Sequence, residues 1–244
     1  MKPAILQICL LVFLPLVGCK KPGADVPTEY GYRPSPVLTP AEEASLTAQA
    51  NAGDTNAAFR LYTFYSDYKI PLGDTNALVL ATKWLKMTAE KGLLVAQWNY
   101  ALELQDSERA EDRAEALHWL ERAGTNGHPY ALATLADAYE SGKGTPVTLS
   151  KAKYWYERAA LMGHRLSMSM LVEFLKEGKG CERDLVGAYA WASLGESRFP
   201  KGTVAQGIAQ KKREDIQKSL TAAELKAGLE KLKDLREMVP VNEK

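Results

Sequence analysis

Residues 150–164 read SKAKYWYERAALMGH, in which Gly163 follows Trp155 by eight residues. A tryptophan recurs at steps of 35, 36 and 36 residues, at positions 84, 119, 155 and 191. The eight-residue spacing to a glycine also follows the first two tryptophans, at Gly92 and Gly127. A fixed period in the thirties is typical of stacked two-helix units, each of which buries its apolar side only against its neighbours. The period therefore predicts an all-α solenoid of tandem helix-turn-helix repeats, and it argues against an enzyme.

The boundaries of the repeats follow from small residues at fixed positions. First helices carry Ala57, Ala96, Ala131 and Ser167, and second helices carry Ala81, Ala116, Ala152 and Ala188. The step from a second helix to the next first helix is always 15 residues, whereas the step within a repeat is 24, 20, 21 and 21 residues. An added residue at a packed junction would rotate every later side chain, whereas an edge turn tolerates insertions. We therefore expect four repeats over residues 54–200, with all length variation in the turn inside each repeat.

Capping helices are predicted at both ends of this array. Thr39 and Pro40 suit the start of an N-terminal capping helix over residues 41–53, with a threonine N-cap and a proline at the first helical position. Residues 201–244 are predicted to form C-terminal capping helices. The last of these begins at Thr221, where Glu224 completes a capping box. A further step of 15 from Ala188 reaches Thr203, but no tryptophan follows it.

The first eighteen residues have the pattern of a signal peptide. Lys2 supplies a positive charge, and the following apolar run from Ile5 to Val17 is interrupted only by Gln7. As a helix this run would reach only about 20 Å, which is short of the roughly 30 Å hydrocarbon core of a bilayer. A cleaved targeting segment over residues 1–18 is therefore favoured over a membrane span.

The end of that segment, Leu16-Val17-Gly18-Cys19, resembles the lipobox of bacterial lipoproteins. The resemblance implies cleavage before Cys19 and attachment of diacylglycerol to its sulfur; the alternative is an ordinary secretory signal with an incidental cysteine. Residues 19–40 would then be the lipidated cysteine and a proline-rich, disordered tether. The resemblance further implies a lipid-anchored protein that faces the periplasm of a bacterium. Lys20 favours the outer membrane over the inner one.

A second resemblance concerns the repeats themselves. Residues 139–144 (YESGKG), residues 150–160 and the pair Gly163-His164 resemble the Sel-one-like repeat, a variant of the tetratricopeptide repeat. Residues 167–191 resemble it again, and with two looser copies the match covers roughly residues 41–200. The resemblance implies a right-handed superhelix and a role as a membrane-anchored protein–protein interaction scaffold of the cell envelope. Direct binding of peptidoglycan or exopolysaccharide is the alternative.

Binding residues are expected on the concave side of the superhelix, which the first helices line. Transfer of the tetratricopeptide groove positions identifies Asn56, Phe59, Thr63, Trp98, Gln105, Tyr130, Asp137, Glu140, Glu173 and Lys176. Trp98 and Tyr130 are the strongest candidates, because aromatic side chains commonly anchor peptides. For each residue the alternative is incidental surface or packing against a neighbouring helix.

Other classes of function lack a supporting pattern. The formal net charge of +1 provides no broad basic field for nucleic acid. His128 and His164 occupy the same repeat position, which indicates a structural role, and no cluster has the spacing of a zinc site. We expect no catalytic residue, metal or cofactor. Cys181 is expected to be a partly shielded thiol at a turn, with a reactive or intermolecular role as the alternative.

Overall fold

The computed structural model describes residues 37–240, and within them it contains eleven α-helices and one π-helical turn. The predicted signal peptide, Cys19 and most of the predicted tether lie outside this range. The helices are α1 (Pro40–Asn51), α2 (Thr55–Phe64), α3 (Ala77–Glu90), α4 (Leu94–Gln105), α5 (Ala110–Thr125), α6 (Pro129–Ser141), α7 (Leu149–Leu161), α8 (Arg165–Glu177), α9 (Leu185–Ser197), α10 (Val204–Gln217) and α11 (Ala222–Met238).

From α1 to α9, each helix packs against the one that follows it, and α11 packs on α9. The helices form antiparallel pairs, α2–α3, α4–α5, α6–α7 and α8–α9, and no strand occurs among the described residues. The predicted all-α solenoid is therefore confirmed. Across residues 37–240, every helix is too short or too polar to cross a bilayer.

The small residues that defined the repeats lie at the helix junctions. All eight are at most 3% exposed, and the four repeated tryptophans are between 2% and 8% exposed. Trp119 and Trp155 belong to one apolar cluster that extends from α3 to α8. Trp84 belongs to a second cluster at the N-terminal end of the stack, and Trp191 to a third at the C-terminal end. This is the packing expected when each helix pair buries its apolar side against its neighbours.

The turns of the α6–α7 and α8–α9 pairs share one structure. Each first helix ends at a glycine in the left-handed region, Gly142 with φ of 81° and Gly178 with φ of 73°. After the turn, the Thr148 N–H donates to the Tyr139 carbonyl at 2.8 Å. Its counterpart in the next pair, the Asp184 N–H, donates to the Leu175 carbonyl at 2.9 Å. The two donors are 36 positions apart in sequence, and so are the two acceptors, so the period extends to the backbone of the turn.

The α2–α3 pair turns differently. A π-helix over Tyr65–Lys69 continues α2, and a turn then leads to α3 at Ala77. This lengthened connection accounts for the 24-residue step within the first predicted repeat. The predicted N-terminal capping helix corresponds to α1, which begins at Pro40 after the expected N-cap Thr39; Thr39 and Glu42 also form a capping box.

The last two helices pack on α9. In α10 only Ile216 is buried, whereas α11 buries Gly228, Leu232 and Leu235. The capping box that the sequence predicts at Thr221 and Glu224 is present. Thr203 is the N-cap of α10, and its side chain accepts the N–H of Gln206.

Candidate functional site

The predicted binding residues share one face of the first helices. The N-cap residues are Asp54 in α2, Leu93 in α4, His128 in α6, His164 in α8 and Thr203 in α10. Side chains at the second, fifth, ninth and twelfth positions after a cap lie along one side of an α-helix. All ten predicted residues occupy these positions. We call the set of these positions on α2, α4, α6, α8 and α10 the first-helix face.

Four rings form a continuous cluster at the start of α4, α6 and α8. The centroid of the Trp98 ring lies 5.7 Å from that of Tyr130 and 5.1 Å from that of His128. The rings of Tyr130 and His164 form a T-shaped pair with their centroids 4.7 Å apart. The indole N–H of Trp98 donates to the Thr134 hydroxyl at 3.1 Å, which links α4 to α6. Trp98 and Tyr130 are both half-buried, so each ring is held in place and still presents part of its surface.

The two histidines in this cluster cap helices. Nδ1 of His128 accepts the Ala131 N–H at 3.2 Å, and Nδ1 of His164 accepts the Ser167 N–H at 3.3 Å. Both bonds require an unprotonated Nδ1, and burial lowers the pKa of both imidazoles. Arg165 lowers the pKa of His164 further. These residues therefore have the structural role that their repeat position predicts.

Further along the first-helix face, Asp137 and Glu140 converge on one hydroxyl group. The Tyr156 hydroxyl of α7 lies within hydrogen-bond distance of both carboxylates, and its distance to Glu140 is 2.8 Å. Burial and these two acceptors raise the pKa of Tyr156, and burial also raises the pKa of Asp137. The hydroxyl has a single proton and donates it to one carboxylate at a time. The other carboxylate can therefore accept a hydrogen bond from another group.

Glu173 links two helices of this face. It forms ion pairs with Lys212 of α10 at 2.8 Å and with Lys176 of its own helix at 3.7 Å. Burial opposes ionisation of Glu173, but the hydrogen bond from Lys212 and the charges of Lys176 and Lys179 outweigh it and lower its pKa. The first-helix face is thus aromatic near the helix starts and charged near the helix ends.

The remaining predicted residues fall into two groups. Asn56 is exposed; Phe59 and Thr63 are half-buried, and the Phe59 ring lies 5.7 Å from that of Tyr62. Gln105 departs from the expectation of an accessible residue, because it is only 5% exposed. It is the last residue of α4 and is buried there.

The sequence interpretation did not include residues of α10 in the first-helix face. Ile208 stands five positions after its cap, as Trp98 does in α4, and it is 63% exposed. Leu166 of α8, at the position of Tyr130, is also 63% exposed. Between α8 and α10, a cavity of about 180 Å³ lies over Trp191 and Ala192 of α9. Counting positions from the Thr203 cap could have identified Ile208 from the sequence.

Comparison with known families identifies three segments of the chain that match a repeat family. The Sel1 repeat family matches residues 94–128, 129–164 and 165–195, which contain the pairs α4–α5, α6–α7 and α8–α9. The chain is therefore an α-solenoid in which these three helix pairs are similar to Sel1 repeats, while the first helix pair lies outside the matched segments. Sel1 repeat proteins are generally non-enzymatic scaffolds for protein interactions.

Two solved structures are similar to this chain. One is a protective antigen present in uropathogenic Escherichia coli strains and displaying an SLR fold, at 23% identity and a TM-score of 0.65. That match covers 81% of this chain, which spans only 41% of the antigen. The other is a Sel1 repeat protein from Oxalobacter formigenes, at 27% identity, a TM-score of 0.45, and coverage of 54% of this chain and 95% of that one. No match to a curated protein is found.

No cluster of three or more histidine, cysteine or acidic side chains suited to a metal occurs in the part of the chain that the structure describes. Cys181 is a half-buried free thiol in the turn after α8. Its sulfur lies 3.8 Å from the Phe174 carbonyl, in agreement with the expected shielded position.

Proposed function

We propose that this protein is a scaffold that binds a segment of a partner protein along its first-helix face. The observation that carries the proposal is the pair Trp98 and Tyr130, whose rings come from consecutive first helices and lie 5.7 Å apart. Thr134 and His164 hold these two rings, so little side-chain freedom would be lost on binding. Rigid, partly exposed aromatic side chains are common anchors in protein interfaces.

The chemistry of the face suggests the character of the bound segment. Apolar side chains of an extended or helical segment would lie against Trp98, Tyr130 and the exposed Leu166. Polar side chains of the segment would face the carboxylates of Asp137 and Glu140 and the ammonium groups of Lys176 and Lys212. A segment with an apolar edge and a mixed-charge edge therefore fits best.

A lipid anchor at Cys19 completes the proposal. The lipobox resemblance supports a scaffold that is anchored to a bacterial membrane and faces the periplasm, with the outer membrane favoured. Its partners would then be other proteins of the cell envelope. Several acyl chains, at about 0.8 kcal/mol per buried methylene, would hold it firmly in the membrane. Metabolic labelling with an alkyne fatty acid tests this. Cys19→Ser should lose the label and leave the membrane fraction, and an unchanged distribution would contradict the anchor.

The binding face is tested by affinity capture from detergent-solubilised membranes, followed by mass spectrometry. Trp98→Ala with Tyr130→Ala should lose the partner, and so should Leu166→Asp, which adds a charge to the face without removing a buried side chain. Tyr154→Ala with Val79→Ala removes exposed apolar groups from second helices and serves as the control. Equal recovery from all of these variants would contradict the proposed face.

Binding of cell-wall glycan is a second candidate, because partly exposed aromatic rings such as those of Trp98 and Tyr130 also stack on sugars. Sedimentation with purified peptidoglycan or exopolysaccharide separates the two functions. A scaffold for proteins alone stays in the supernatant, whereas a glycan-binding protein sediments and loses this property in the Trp98→Ala, Tyr130→Ala variant.

A further inference from the structure

A second cavity lies on the other side of α10, between α10 and α11. Both helices pack on α9, and the space between them measures about 410 Å³, within the size range of sites for small molecules. Its walls include both polar and apolar groups, among them Tyr189, Phe199, Lys201, Arg213, Leu232 and Arg236. The cavity shares Glu196 and Phe199 with the 180 Å³ cavity between α8 and α10, but none of its lining residues belongs to the first-helix face.

The cavity follows from two unusual residues in α10. At the third and tenth positions after the cap, α6 has Ala131 and Ala138, and α8 has Ser167 and Phe174; all four are at most 1% exposed. At the same positions α10 has Gln206 and Arg213, and both line the cavity. Long polar side chains cannot be enclosed in an apolar junction without a large desolvation cost. The pair α10–α11 therefore stays open where the earlier pairs close.

The second helix of this open pair is held by α9 instead. Gly228 of α11 packs so closely on α9 that a Cβ there would lie 2.8 Å from the Tyr189 ring. Leu232 and Leu235 of α11 are buried in the same apolar cluster as Tyr189. The cavity wall on this side is thus fixed by packing.

The charges around the cavity are unbalanced. Arg213 donates to Glu196 at 2.6 Å and to Gln217 at 2.8 Å, so its guanidinium and the Glu196 carboxylate compensate each other. Lys201 and Arg236 are exposed at the rim, and neither has a carboxylate partner between residues 37 and 240. Two uncompensated cations at one partly enclosed site attract an anion.

We infer that this cavity binds a small organic anion. Its carboxylate or phosphate group would be bound by Lys201 and Arg236, with Arg236 able to donate two parallel hydrogen bonds. Its apolar or ring portion would lie against Phe199 and Leu232. Tyr189 at the floor provides a hydroxyl for a further polar group of the ligand.

The test is a titration of the full chain with phenyl phosphate and with benzoate, followed by nuclear magnetic resonance. Phenol, which has the same ring without the anion, is the neutral control probe. Saturable binding of phenyl phosphate, of benzoate or of both, with none for phenol, supports the site, and the tighter probe identifies the preferred anionic group. Binding of phenol equal to that of both anions, or the absence of saturable binding, overturns it.

Two charge-matched variants assign the binding to the cavity. Lys201→Gln with Arg236→Gln removes two exposed cations and leaves the buried contacts intact, so the fold should be unchanged. It should weaken anion binding at least tenfold. Lys226→Gln with Lys233→Gln removes the same charge from exposed positions of α11 outside the cavity and should leave the affinity unchanged. Equal affinities of the two double variants would overturn the assignment.

Discussion

The turns of the first and third helix pairs contain glycines with the same backbone conformation but different surroundings. Gly73, in the α2–α3 turn, and Gly144, in the α6–α7 turn, both have φ of 80°. A Cβ at Gly73 would meet nothing within 4 Å, whereas a Cβ at Gly144 would lie 2.3 Å from the Arg113 carbonyl oxygen of α5. Gly180 repeats this contact one pair later, where a Cβ would lie 2.4 Å from the Leu149 carbonyl carbon of α7. Gly144 and Gly180 therefore set the distance between their own helix pair and the preceding one.

The largest expected effect concerns the buried tryptophan, which the first and third helix pairs both contain. Trp84 belongs to the first helix pair and Trp155 to the third, and they are 2% and 8% exposed. Replacement of either by alanine leaves a large void, so we expect each to lower the free energy of unfolding by about 3–5 kcal/mol. Chemical denaturation monitored by circular dichroism measures the loss. A small effect at Trp84 alone would show that the first pair is not part of the same cooperative stack.

Substitution of the turn glycines by alanine distinguishes the first helix pair from the third directly. Gly73→Ala adds only the strain of a positive φ, which costs about 1 kcal/mol. Gly144→Ala adds this strain and a clash with backbone atoms that cannot rotate away, so we expect a loss of about 3 kcal/mol. Gly180→Ala should behave like Gly144→Ala. Equal losses at Gly73 and Gly144 would contradict the role of the glycine in spacing the repeats.

The helix caps differ between the regions as well. Asp54 caps α2, whereas His128 and His164 cap α6 and α8. Because the folded protein lowers the pKa of both histidines, the unfolded chain binds more protons in the range just below pH 6.5. The stabilisation is therefore complete above about pH 6.5 and is lost as the pH falls from there through the lower folded pKa values.

We expect this loss to be about 1 kcal/mol for each of the two histidines, the usual contribution of a cap. Thermal melting at pH 7.5 and pH 5 measures it. Asparagine can cap a helix without titrating, so His128→Asn with His164→Asn should reduce the difference between the two pH values. An unchanged difference would assign the pH dependence to other groups.

The smallest effect belongs to an ion pair between adjacent turns. Lys143, between the two glycines of the third pair, lies 2.8 Å from Asp106 in the turn of the second. Both side chains are largely exposed, at 42% and 56%, so we expect Lys143→Ala to cost less than about 0.5 kcal/mol. A double-mutant cycle with Asp106→Ala measures the coupling. A loss comparable to that of Gly144→Ala would mean that charge, and not close backbone packing, joins the repeats.

The periodic part of the fold could be predicted from the sequence because tryptophans and small residues at fixed steps specify buried contacts. The period alone could not predict where α10 begins. Thr203 lies at the position expected for a buried small residue, yet it caps the helix, because its side chain accepts the N–H of Gln206. Because of this capping hydrogen bond, α10 begins about one turn later than the period predicts. The π-helix over Tyr65–Lys69 was missed for a similar reason, since extra residues in a turn leave no periodic signal.

The arrangement of the first-helix face could be predicted only in part. Helical spacing predicts that Trp98 and Tyr130 lie on the same side of the first helices. It does not predict the contacts with Thr134 and His164 that hold the two rings. The Tyr156 hydroxyl meets Asp137 and Glu140 across a turn of variable length, so sequence spacing does not specify the contact. The burial of Gln105 likewise depends on how tightly α4 ends in its pair.

The close approach at Gly144 and Gly180 has a consequence for how such chains can change. The atoms that each glycine meets belong to the main chain and the Cβ of the preceding helix, so arginine at one joint and leucine at the next serve equally well. The fit depends on shape and is indifferent to side-chain identity. Whole units could thus be duplicated, deleted or exchanged by recombination without compensating substitutions at the seam, which would let a lineage lengthen or re-order its binding surface in single genetic steps.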